Sequence, residues 1–75
     1  MNEMTDEEKK LAFIAFCVEE YKTQLGTDGR KVIDLFEKYG VTDYLVRHYD
    51  ILHSTGRNAI LADIDEFIRV RSKKK

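Results

Sequence analysis

No proline interrupts this chain, and its four glycines stand at Gly26, Gly29, Gly40 and Gly56. Between them apolar residues recur at spacings of three and four, the period of an amphipathic helix rather than the alternation of a strand. Glycine adopts positive φ at no steric cost and so ends helices. Gly26, Gly40 and Gly56 each stand just beyond such a run. The pattern predicts an all-α fold, a small single-domain bundle of about four short helices. Residues 1–75 form the one domain, with 1–4 and 72–75 frayed.

The first helix is expected from Asp6 to about Gln24. Thr5 and Glu8 have the spacing of a capping box, in which hydroxyl and carboxylate each satisfy an orphan backbone N–H. Leu11, Ile14, Val18, Tyr21 and Leu25 make its inward stripe, with Phe13 and Cys17 on the flank. The second helix runs from Gly29 to Tyr39, with Asp28 as N-cap and Val32, Leu35, Phe36 and Tyr39 facing in. Lys31 stands where a capping box would place an acid.

The stretch Val41–Gly56 reads as one central helix. Thr42 is its expected N-cap, and Val41 with Val46 has the spacing of a hydrophobic staple. Asp43, Arg47, Asp50 and Ser54 form one polar stripe, with ion-pair spacings, and the rest is apolar or aromatic. A helix polar along one stripe only is covered by neighbours on its other sides. Leu45 and Leu52 lie in the middle of the apolar face. In the last helix Ile60, Leu61, Ile64, Phe67 and Ile68 share a face. It starts either at Asn58 or at Asp63, which has capping-box spacing to Glu66 and a staple in Ala62 and Phe67; the Asn58 start is preferred.

A chain this short buries only about 60% of the surface that its unfolded form exposes, so association is an expected source of stability. One cysteine, Cys17, makes no internal disulfide and fits a reducing compartment. The N-terminus MNEMTDEEKK is acidic and lacks the features of a signal peptide. The longest apolar run, Leu11–Val18, is short of the roughly 20 residues that cross a bilayer. These features together point to a cytoplasmic protein away from membranes.

Residues 1–68 hold 8 basic and 14 acidic groups, a net charge of −6, while 69–75 hold five basic groups and no acid. An acidic body is a poor nucleic-acid surface, which leaves the basic tail as the one region suited to phosphate. A helix-turn-helix reading of the second and third helices places Asp43 and Asp50 on the would-be recognition face, which opposes it. Nor do the tyrosines interleave with basic residues as a stacking platform requires.

No catalytic residue, cofactor or small-molecule substrate is expected. His48 and His53 point about 140° apart on a helix, so they do not share a metal, and His48 reads as partly buried. Cys17 lies mid-helix beside the core stripe, the setting of a small hydrophobe rather than a nucleophile.

Phe16 is the exception to the pattern of the first helix. It points away from the inward stripe, among Lys9, Ala12, Glu19, Glu20 and Thr23. Ala12 and Ala15 beside it are small enough to let another helix approach. An aromatic anchor inside a charged rim is how interfaces are built. Ala12, Ala15 and Phe16 are therefore the candidate interface, for a protein partner or a homodimer.

The runs AFIAFCVEEYK, DLFEKYGVTDYLVRHYDILHSTG and ILADIDEFI carry a resemblance. They match the patterns F-x-x-x-C-x-E-x-Y-K, L-F-x-K-Y-G-V-x-D-Y-L, Y-D-x-L-H-x-x-G and D-I-D-x-[FY]-I. The chain resembles a family of short bacterial all-helical proteins, a domain of unknown function, over nearly its whole length. Members of that family are often encoded beside proteins resembling ADP-ribosyltransferase toxins. The resemblance implies a non-enzymatic protein-binding module, an antitoxin-like or accessory partner of a neighbouring-gene protein. It brings no catalytic residues. The alternatives are a nucleic-acid-associated regulator using the basic tail and a self-associating structural unit.

Overall fold

A computed structural model describes residues 4–73. Helix α1 spans Asp6–Leu25, α2 Gly29–Tyr39, α3 Val41–Arg47, α4 Tyr49–Leu52 and α5 Arg57–Lys73. Among the described residues there is no strand, and the fold is all-α as the periodicity requires.

The caps explain where the helices begin and end. The Thr5 hydroxyl accepts from the Glu8 N–H at 3.1 Å, and the Glu8 carboxylate accepts from the Thr5 N–H at 2.9 Å, which closes the capping box. Asp28 accepts from the Lys31 N–H at 2.9 Å; with a lysine at that position the reciprocal bond is missing. Gly26 and Gly40 take positive φ, 67° and 74°, and stop α1 and α2. Gly40 then opens α3 directly, so Thr42 is a helical residue and not the expected N-cap. Gly56 differs from the other two. Its φ is not positive, and its carbonyl accepts from the Ile60 N–H at 3.0 Å at the head of α5. The preceding helix is closed instead by hydroxyls: Ser54 and Thr55 both donate to the Ile51 carbonyl.

Two further expectations are corrected. The central helix is not continuous: it bends at His48, with φ −110° and ψ 23°, which splits it into α3 and α4. The segment is rich in aromatic and β-branched residues, mediocre helix formers, and past the bend Tyr49 meets Phe13 of α1 edge-on at 5.5 Å. Leu45 and Leu52 are both buried all the same. The last helix starts at Arg57, close to the Asn58 reading, but Asn58 accepts from Arg57 rather than capping. Asp63 lies mid-helix, so its capping box and staple do not form. At the C-terminal end α5 includes Ser72 and Lys73, and residues 1–3 and 74–75, where fraying is also expected, lie outside the described residues.

The core is filled by all five helices. Phe13, Cys17 and Tyr21 from α1 meet Val32 and Phe36 of α2, Val41 and Leu45 of α3, Leu52 of α4, and Ile60, Leu61 and Ile64 of α5. The face that α1 buries is not the expected one. The Phe13–Cys17–Tyr21 stripe is rotated by roughly 80° from the stripe Leu11–Ile14–Val18–Tyr21–Leu25. Leu11 and Leu25 are exposed, and Ile14 and Val18 only half-buried. Aromatic volume decides between the two faces: Phe13 fills the space beside Tyr49, and Tyr21 packs on Phe36 at 5.7 Å.

Candidate functional site

Rotation of α1 leaves an apolar surface uncovered. Leu11 is 67% exposed, and Ile33 of α2, set apart from that helix's buried face, is 44% exposed. Between them Ile14, Ala15 and Val18 line a groove of about 400 Å³ whose floor is Phe36 and whose edges are Glu19, Glu37 and Thr42. A second depression of about 240 Å³ continues it, sharing Leu11 and Ile14 and adding Val46, Glu7 and Lys10. The groove therefore runs along α1 between α2 and α3.

The expected interface residues Ala12, Ala15 and Phe16 are all exposed, and Phe16 is 41% so. Of the three, only Ala15 lines the groove. Ala15 lies on its wall, whereas Phe16 is set about 100° further round the helix. Sequence reasoning missed Leu11, Ile14 and Val18 as surface residues because it had assigned them to the core. Ile33 it did not place at all. The available signal was the width of the apolar arc, since Leu11 to Val18 is unbroken and one core stripe does not absorb it.

On another side a cleft of about 420 Å³ is lined by Tyr39, Tyr44, His48 and Phe67 with Asp43, Arg47 and Arg71. Its aromatic faces are already occupied. Tyr44 stacks on Phe67 at 4.4 Å, the Arg71 guanidinium sits 3.7 Å from the centre of the Phe67 ring, and His48 leans on Tyr44. Arg47 is paired with Asp43 at 3.0 Å. The ion pair expected between Arg47 and Asp50 does not form among the described residues. The cleft therefore brings cations and aromatics together but spends them on one another.

Two tyrosines tie helices to α5. The Tyr44 hydroxyl donates to Asp63 at 2.6 Å, and the Tyr21 hydroxyl donates to Asp65 at 2.6 Å, with Gln24 bonding the other Asp65 oxygen. The bond to Asp63, then burial and the nearby negative charge, push the Tyr44 phenol up to about 12. Burial raises that of Tyr21 further, aided by its bond to Asp65 and the charge there. These are rim hydroxyls on core rings, which is how amphipathic tyrosines satisfy their polar end.

Cys17 and the two histidines are the remaining side chains singled out by the sequence. Cys17 is fully buried, and burial pushes its thiol up to about 12, far from the thiolate that a nucleophile needs. His48 stands at the bend, outside the core with its ring on Tyr44, and is exposed rather than partly buried. His53 stacks on Tyr49 at 4.4 Å and its Nδ1 donates to the Tyr49 carbonyl at 2.7 Å. Each histidine thus leans on a different tyrosine, and no cluster of three metal-ligating side chains exists among the described residues. No described helix is long and apolar enough to cross a membrane.

No curated protein and no solved structure matches the chain. A family match is present, over residues 12–71, and it takes in α2, α3 and α4 whole and most of α1 and α5. Of the residues fixed in the sequence patterns above, Phe13, Cys17, Tyr21, Phe36, Val41, Leu45, Leu52 and Ile64 are core, and Tyr21 with Asp65 and Tyr44 with Asp63 make the two tyrosine–carboxylate ties, while Glu19, Lys38, Asp43, Asp50 and His53 are exposed. By this match the chain belongs to the family described as "Protein of unknown function (DUF3791)".

Proposed function

We propose that this protein is a non-enzymatic binding module whose work is to hold another protein. The observation that carries the reading is the apolar groove along α1, where Leu11 and Ile33 stand exposed on either side of Ala15 and Val18. A domain of this size has little apolar surface to spare, and leaving a leucine and an isoleucine together in water costs stability without return unless something covers them. The groove has the form that receives an amphipathic helix. The exposed shoulder of α1, with Ala12 and Phe16, extends the surface beyond Ala15.

The resemblance to bacterial proteins encoded beside ADP-ribosyltransferase-like toxins supports an antitoxin-like or accessory role for a cytoplasmic protein. Co-expression with the product of the neighbouring gene, followed by pull-down, tests it. Leu11→Glu and Ile33→Glu should abolish the complex, while Ile51→Glu, at an exposed site off the groove, should retain it. Retention by both groove variants, or loss by Phe16→Glu alone, would move the interface elsewhere. Self-association is the competing reading, and dimerisation of the parent chain in solution would favour it.

A further inference from the structure

The charges around the groove say more about its occupant than its apolar floor does. Glu19 and Glu37 edge the larger part, and Glu7 and Lys10 edge the smaller, three acids and one base, for a rim charge of −2. Glu19 is partly offset by Lys22 at 3.0 Å; Glu7 and Glu37 have no ion-pair partner among the described residues. Residues 1–68 carry −6 in all, the sign of the rim, and the five basic groups of residues 69–75 bring the whole chain to −1. We propose that the groove receives an amphipathic helix of a different protein, with an aliphatic stripe flanked by Lys and Arg. This inference rests on the protein-binding reading above and narrows it to one partner chemistry.

A second copy of this chain fits the groove poorly. A two-fold dimer joined groove to groove would bring together two rims that each carry −2, because such an interface uses the same patch on both copies. Juxtaposed like charges oppose association, whereas complementary ones speed encounter and select the partner. Nor does the basic end of α5 supply the missing stripe, since Val70 is the only large apolar residue exposed there among the described residues. An aliphatic stripe with basic flanks satisfies both features of the groove: its anchors at i, i+3 or i+4 and i+7 meet Leu11, Ile14, Val18 and Ile33, and its cations meet the rim.

Two designed helical peptides test this, identical in a leucine stripe and flanked by lysine in one and glutamate in the other. Fluorescence anisotropy with the full chain should show the lysine-flanked peptide binding at least about fivefold more tightly, as two or three exposed charge pairs allow. The preference should shrink with added salt. Glu19→Lys/Glu37→Lys takes the rim from −2 to +2 and should reverse the preference, with its melting curve confirming the fold. Leu11→Glu should weaken both peptides. Equal binding of the two peptides, both lost in Leu11→Glu, would overturn the charge assignment and leave the groove as a docking site. Binding unchanged in Leu11→Glu, or no binding of either peptide, would overturn the inference itself. A parent chain that dimerises through the groove would do the same. Loss of the neighbouring-gene complex in the groove variants is read separately and decides the broader proposal.

Discussion

Phe13→Ala and Leu11→Ala, two positions apart on one helix, should behave as if they came from different proteins. Phe13 is buried against Tyr49, at 5.5 Å between ring centres and nearly perpendicular. Truncating it removes a full aromatic ring from the core, which costs about 3–5 kcal/mol. A domain of this length holds about 4–11 kcal/mol in all, so the change consumes much of the total. At about 4–8 °C per kcal/mol in a domain this size, the midpoint should fall by at least about 12 °C, and the chain is at the edge of unfolding. Phe13→Leu keeps most of the volume, loses the edge-on contact, and should cost about 1 kcal/mol. Leu11→Ala takes a side chain mostly in water and should stay within about 0.5 kcal/mol, under about 4 °C. Thermal melts followed by circular dichroism at 222 nm, with chemical denaturation in parallel, measure all three. If Leu11→Ala destabilises as much as Phe13→Ala, α1 buries the stripe its periodicity first suggests, and the exposed groove does not exist.

Leu45→Ala and Leu52→Ala should each cost about 2–5 kcal/mol, since both leucines are buried on the two sides of the His48 bend; urea midpoints that overlay the parent would show the core misplaced. The Tyr44 phenol is raised in the folded state, so its neutral form favours folding: that stability is full below about pH 10, the unfolded value, and is lost as pH rises through about 12. Denaturation of parent and Tyr44→Phe at pH 9 to 12 should show the parent losing stability relative to the variant over that window, and parallel curves would break the link to Asp63. Buried Cys17 should resist a thiol-specific disulfide reagent in native buffer and react promptly in denaturant; rapid reaction in the folded state would place the thiol outside the core.

Local signals were legible in the sequence where one residue's chemistry decides the outcome. The Thr5–Glu8 box, the Asp28 cap, the positive φ of Gly26 and Gly40, and the whole of α2 depend on short-range bonds that spacing alone specifies. Burial of Leu45 and Leu52 was legible too, since they sit seven residues apart, close to two helical turns. What failed was rotation. Helix α1 is apolar over so wide an arc that its own sequence supports two buried faces, and the choice is made by Tyr49 and Phe36, residues far along the chain. The bend at His48 was hidden for a related reason: helical periodicity continues across it. The uncovered groove is the other side of the same rotation, and so it was invisible while Leu11 counted as core. The family patterns do not repair this, because most of their residues build the core and its ties, while Leu11 and Ile33 lie outside them.

Site-specific photo-cross-linking in the native host tests most directly whether the groove holds another protein. A photoreactive phenylalanine analogue replaces Ile33 in one strain and Ile51, the more exposed residue away from the groove, in another. The account predicts one discrete cross-linked species from position 33, heavier than the chain and unable to form with Leu11→Glu, and none from position 51. Cross-linking from position 51 alone, or equal species from both positions that persist with Leu11→Glu, would contradict it.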